Sequence, residues 1–256
     1  MTTEQRTKSR QGPPPFALLA AEVPRAFMES LTLHPAAPLL RSAPRGDGHP
    51  VLVLPGFTAG DRSTRVLRRI LSDLGHDAQP WLLGPNLGPR DDMREMLTAR
   101  VDDLYQSSGQ KLSLIGWSLG GIYAREIAKR APDRIRQVIT MGSPFGDINR
   151  PSNAGRLYRR FSESQMEHDR DALAASLRLP PPVPSTSIYS KTDGIVQWRA
   201  CLELETERTE NIEVPGSHIG FGFNPLVLYA IADRLSQPEG GWQPFDRTSW
   251  RRCLYG

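Results

Sequence analysis

The sequence predicts an α/β protein built on a doubly wound, mostly parallel sheet with a helical, cap-like insertion. Short apolar runs rich in β-branched residues alternate with longer segments whose apolar residues recur at helical spacing, the pattern of parallel strands joined by crossover helices. The runs end on Gly, Pro or Asp turns, and no internal repeat interrupts the alternation. The 256 residues are 38% hydrophobic and 23% charged, which suits one folded domain with its own core rather than a disordered chain.

Residues 1–15 are polar and end in prolines, so they are expected to be a disordered tail before a single domain over 16–256. Within a helical segment at 16–45, Phe16, Leu19, Ala20, Val23, Phe27 and Leu31 share one helical face, and Pro24 is expected to kink or divide that helix. The stripe either packs on the domain, forms a flap over a site, or meets a membrane surface.

A strand at 51–54 follows. Asp61 is expected to cap a helix running through Leu74, with Val66, Leu67, Ile70 and Leu71 inward and Gly75 as its stop. A short strand at 78–83 leads into a Gly-Pro loop at 84–89. A helix from Asp91 to about Tyr105 turns Met93, Met96, Leu97, Val101 and Leu104 to the core. Strands at 112–115, 135–141, 184–190 and 211–214, a helix at 119–130 and a last helix at 225–235 complete the alternation. Residues 145–182 contain no clear strand and read equally as a cap over a pocket or as connecting helices.

The most informative feature is Gly116-Trp117-Ser118-Leu119-Gly120. A serine between two glycines, after a buried strand and before a helix, describes a nucleophile elbow. Small flanking residues let the turn be sharp, and the helix N-terminus favours developing negative charge. Such a serine needs an upstream oxyanion donor, then an acid, then a histidine. Pro55-Gly56-Phe57-Thr58 ends the first strand, Lys191-Thr192-Asp193-Gly194 ends another, and Pro215-Gly216-Ser217-His218-Ile219-Gly220 ends the last.

Of His34, His49, His76, His168 and His218, only the last two follow Ser118. His168 sits in a polar stretch that reads as a solvated helix face, whereas His218 lies among glycines and apolar residues beyond a strand. The acid is assigned to Asp193, which precedes Gly194 in a tight turn, with Asp147 as the runner-up. A serine hydroxyl is a weak nucleophile, so His218 would take its proton, and Asp193 would orient and stabilise the imidazolium. The backbone N–H groups of Phe57 and Leu119 are the candidate oxyanion hole.

At these residues the chain resembles the α/β-hydrolase family, and within it the small bacterial lipases and esterases. The resemblance rests on 116–120, 187–196 and 211–220, extends to the strand at 138–144, and covers about residues 50 to 235. It departs at Pro55-Gly56, where many relatives carry His-Gly, a change that does not by itself remove a backbone donor. It implies a serine carboxylester hydrolase working through an acyl-enzyme, with no cofactor, and a small-molecule ester or lipid as substrate. Thr58, Trp117, Phe145, Ile195, Val196, Ile219 and Phe221 would lie around an acyl pocket, some of them serving as ordinary core. An acyltransferase on the same triad is the alternative, and a non-catalytic binding protein on this scaffold is a third reading that an intact triad argues against.

Composition excludes other classes. A formal net charge of +4, from 32 basic and 28 acidic residues, is too small and dispersed for nucleic acid and leaves only weak attraction to anionic lipid. Arg62, Arg65, Arg68 and Arg69 read as a solvated helix face. Cys201 and Cys253 allow one disulfide but no framework, and no metal-ligand spacing is present. The apolar run at 16–21 is too short for a secretory signal, and no stretch is long enough for a membrane span, so the expected location is cytoplasmic.

Overall fold

The computed structural model describes residues 12–90, 92–153, 155 and 170–256. The expected cap residues 157–161, His168, and the tail up to residue 11 lie outside the described residues, as does Asp91.

In chain order the elements are α1 (Phe16–Thr32), α2 (Ala37–Arg41), β1 (Pro50–Leu54), α3 (Arg65–Asp73), β2 (Asp77–Pro80), α4 (Met93–Ser108) and β3 (Leu112–Trp117). Then come α5 (Leu119–Arg130), β4 (Ile135–Met141), α6 (Arg170–Arg178), β5 (Ser185–Tyr189), β6 (Thr209–Glu213) and α7 (Pro225–Leu235). The six strands form one sheet in the order β2-β1-β3-β4-β5-β6, and every pairing is parallel. This is the predicted doubly wound sheet.

Strand residues alternate between two cores because successive side chains point to opposite faces. Val51, Val53, Ile115, Ile139 and Ile188 pack with Leu67 and Leu71 of α3 and Val227 and Ile231 of α7. Leu52, Leu54, Leu112 and Leu114 pack on the other face with Leu97 and Val101 of α4 and Ile122 and Ile127 of α5. The strands also end in register. Leu54 is paired with Gly116, Trp117 with Met141, Met141 with Ile188, and Tyr189 with Glu213. The loops that leave β1, β3, β5 and β6 therefore open on one rim. β1 and β3 flank the point where the winding reverses, where crevices form in such sheets.

Four sequence expectations are corrected. Asp61 does not cap a helix, since α3 starts at Arg65; its carboxylate accepts instead from the backbone N–H groups of Trp81 (3.0 Å) and Leu82 (3.2 Å), tying the turn before α3 to the loop after β2. β2 ends at Pro80 rather than 83 because the chain turns there, with Leu82 at φ 64°. Pro24 does not divide α1, which runs unbroken past it; Pro24 lies on the exposed side, where water can satisfy the carbonyl that proline leaves unpaired. The apolar stripe of α1 does not pack on the domain: Phe16, Val23 and Phe27 are more than 60% exposed, and Glu22 and Ala26 are the buried face.

Beyond α7, the last residues cover the outer strand. Glu213 and Gly256 exchange backbone hydrogen bonds (3.3 and 3.2 Å), and Phe245 and Tyr255 join the core beneath. An open edge that would otherwise template pairing is thereby closed. Both cysteines are free, Cys201 buried and Cys253 exposed. Among the described residues no helix is long and apolar enough to cross a membrane.

Candidate active site

Ser118 follows β3 directly and opens α5 with φ 52° and ψ −119°, a conformation few side chains adopt. The glycines on either side permit it. A Cβ at Gly116 would lie 2.3 Å from the Gly121 Cα, and one at Gly120 would lie 2.3 Å from the Leu54 carbonyl oxygen. Between residues 112 and 125 every residue is buried except Ser118, which keeps partial solvent access. The Ser118 N–H donates to the Met141 carbonyl (2.8 Å), which fixes the turn to the end of β4.

Leu119 is the first residue of α5, so its N–H has no partner within the helix. The loop after β1 lies beside it: a Cβ at Gly56 would stand 3.3 Å from the Ser118 Cβ. Asn86, fully buried, holds this loop. Its Nδ2 donates to the Pro55 carbonyl (2.8 Å), its carbonyl accepts from the Thr58 N–H (2.7 Å), and its N–H donates to the Ala59 carbonyl (2.7 Å). Thr58 is exposed at φ 62°. Phe57 is therefore carried on a loop clamped from both sides, and the Pro55-Gly56 departure leaves that loop against the elbow. Asn86 was not singled out from sequence; a lone Asn in a Gly-Pro loop carries no periodic signal.

Asp193 lies in the turn after β5 and His218 in the loop after β6, both nearly buried. His218 Nδ1 is 2.6 Å from Asp193 Oδ2, and Asp193 Oδ1 accepts from the N–H groups of Ile195 (2.8 Å) and Val196 (2.7 Å). The carboxylate is thus locked with one oxygen on the ring. With Nδ1 on Asp193, Nε2 is the nitrogen left for a reacting group. Burial disfavours the imidazolium, but the charge and hydrogen bond of Asp193 and the charge of Glu22 outweigh it, so the His218 pKa lies above its ordinary value. A Cβ at Gly142, next to the Met141 that holds Ser118, would be 3.0 Å from His218 Nδ1. The Trp117 indole N–H also donates to the His218 carbonyl (3.1 Å). The base loop and the elbow therefore meet.

Asp147, the alternative acid, instead pairs with Arg150 (3.2 Å) and caps the Asn149 N–H. Of the expected pocket residues, Phe145 and Phe221 are wholly buried core; the Arg125 guanidinium sits 3.8 Å over the Phe145 ring. Val196 is also buried, packing with Tyr189 and Cys201, whereas Ile195 and Ile219 are half-buried. Arg125 pairs in turn with Glu203 and donates to the Leu177 and Leu179 carbonyls, bracing the end of α6 against α5.

The opposite rim of the sheet holds a second Asp, His and Ser in line. His49 Nδ1 is 2.5 Å from Asp47 Oδ1 and His49 Nε2 is 2.7 Å from Ser113 Oγ. His49 and Ser113 are fully buried, and burial holds the His49 pKa below its ordinary value. A hydroxyl sealed in the sheet cannot meet a substrate, so this set ties strands together.

Residues 49–178, half of the chain, match the model of the alpha/beta hydrolase fold family, and the chain belongs to that family. No curated protein matches the sequence. Among solved structures the chain is similar to Aspergillus fumigatus lipase B, with TM-score 0.58 and 19% identity over 78% of this chain, although it spans only 56% of that protein. It is also similar to a metagenome-derived lipolytic enzyme (TM-score 0.56, 17% identity, 74% of this chain and 94% of the other). A pyrethroid hydrolase from Sphingobium faniae is a third (TM-score 0.52, 18% identity, 74% and 98%). At these identities the likeness speaks for the shared fold.

Proposed function

We propose that the protein is a serine carboxylester hydrolase that works through an acyl-enzyme. The observation that carries this reading is the His218–Asp193 hydrogen bond at 2.6 Å, on the same rim as a strained, solvent-reaching Ser118. The family membership and the esterase and lipase names of the structural neighbours support it.

In this reading Ser118 Oγ attacks the ester carbonyl as His218 Nε2 takes its proton. The carbonyl oxygen becomes an oxyanion held by the N–H groups of Phe57 and Leu119, each such donor being worth about 3–4 kcal/mol of barrier. His218 then gives the proton to the leaving alcohol, and the acyl group stays on Ser118. Water, deprotonated by His218, attacks the acyl-enzyme; as the acyl–Oγ bond breaks, His218 returns that proton to Ser118 Oγ and the acid is released. Asp193 holds the ring tautomer and stabilises the imidazolium in both halves. Thr58, Trp117, Ile195 and Ile219 border the acyl site.

Hydrolysis of p-nitrophenyl esters from two to sixteen carbons, with wild type and Ser118→Ala in parallel, tests the assignment. Serine-dependent turnover supports it, and the preferred chain length separates a short-chain esterase from a lipase. Turnover that survives in Ser118→Ala overturns it.

A further inference from the structure

The triad uses three side chains, yet a fourth ionisable group reaches the same loops from a distant part of the chain. Glu22 lies on the buried face of α1 and is 1% exposed. Its Oε1 accepts from the N–H groups of Gly194 (2.7 Å) and His218 (3.1 Å), and its Oε2 accepts from the Ile219 N–H (2.9 Å). Gly194 directly follows Asp193, so one carboxylate spans the acid turn and the base loop. Burying a carboxylate is costly unless its oxygens are matched, and here three amides match it.

The neighbouring positions on the same helix face work alike. Arg25 donates to the Thr192 carbonyl (2.7 Å) and hydroxyl (2.8 Å), and Glu29 accepts from the Ser217 N–H (2.7 Å). The Leu18 backbone approaches so closely that a Cβ at Gly194 would lie 2.5 Å away. Residues 22, 25 and 29 share one helical face and grip the backbone of 192–194 and 217–219. Phe16, Val23, Phe27, Met28 and Leu31 of α1 face outward, so the helix is seated chiefly by this polar grip.

We propose that Glu22 is a positioning residue for the Asp193–His218 pair, its carboxylate fixing the acid turn and the base loop relative to each other. This rests on the serine-hydrolase reading. A base must be held to within about half an ångström of its productive place, and both loops otherwise end in glycine-rich turns. The groups facing Glu22 are Arg25 and Glu29 from its own helix and Asp193 and His218 across from it. Its charge also adds to that of Asp193 in favouring the imidazolium.

The test is the rate at which a fluorophosphonate labels Ser118, read against pH, which needs no natural substrate. Glu22→Gln keeps the size but loses the charge and turns an N–H toward amide donors. Glu22→Asp keeps the charge but is too short to span both loops. In folded protein, verified by circular dichroism, each variant is expected to lower the plateau labelling rate about 10- to 100-fold. In Glu22→Gln the acid limb is also expected to fall by about half a pH unit. Should Glu22→Gln not fold, Glu22→Asp decides. Plateau rates within about twofold of wild type overturn the inference, even if the melting temperature drops, since helix seating alone would then be the role. A wild type that does not label at Ser118 overturns the serine-hydrolase reading itself.

Discussion

The Trp117 indole donates to the main-chain carbonyl of His218 at 3.1 Å, joining the residue before the elbow serine to the candidate base across the sheet. The ring is buried and belongs to the core, so the hydrogen bond is one function and packing another. Trp117→Phe keeps most of the packing and removes the donor. It is expected to cost about 1–2 kcal/mol in urea unfolding and to slow ester hydrolysis several-fold, chiefly in kcat. An unchanged kcat would show that the loop is held without this bond.

Asp193 has both oxygens committed, one to His218 and one to two backbone amides. Asn at this position places an N–H against one of them, so the ring tautomer is lost. Asp193→Asn is expected to lower kcat about 10³- to 10⁴-fold, and Asp147→Asn to leave it near wild type. Because the His218 pKa lies above its ordinary value and the reaction needs the neutral ring, the acid limb of kcat/KM is expected above pH 6.5 in the wild type. The reverse ranking of the two variants would move the acid to the turn after β4.

Asn86 offers a separate test of the oxyanion loop. Its side chain donates to the Pro55 carbonyl (2.8 Å) from a fully buried position. Asn86→Asp is nearly isosteric but cannot make that donation when ionised. A loop that carries an oxyanion donor should then lose most of that donor's effect, a fall of about 10²-fold in kcat with a smaller change in KM. A change confined to KM would mean that the loop only binds substrate.

The sheet and the candidate site were legible because each rests on a local pattern. Strand runs, the Gly-x-Ser-x-Gly turn and the order serine, acid, histidine are all written within short windows. The orientation of α1 was not. Its apolar stripe has the right period for packing, but the shape of the surface it meets is set by loops 167 to 197 residues away, and that surface is a row of backbone amides. Only Glu22, Arg25 and Glu29, three polar residues at helical spacing, carried the contrary signal. Asp61 was misread for a similar reason: an Asp near a helix start resembles a cap, and its true partners at Trp81 and Leu82 are distant in sequence.

Acid stability tests the histidine cluster beneath the sheet. His76 is buried beside His49, and burial, reinforced by that neighbour, brings its pKa down from 6.5 to about 4. The unfolded chain therefore takes up a proton that the native protein refuses. The stability this provides is complete above pH 6.5, shrinks as pH falls, and is exhausted near pH 4, a span of about 3 kcal/mol. Urea unfolding of wild type and His76→Leu at several pH values between 7 and 4 should show the steeper loss in the wild type. Parallel curves would assign the acid sensitivity to other groups.

The role of Ser118 as nucleophile is tested most directly by mass spectrometry of the intact protein and its peptides after exposure to a fluorophosphonate. One phosphonyl group per chain is expected, on the peptide that contains Ser118, and none in Ser118→Ala. Labelling at another residue, or an unlabelled Ser118 in folded protein, would contradict it.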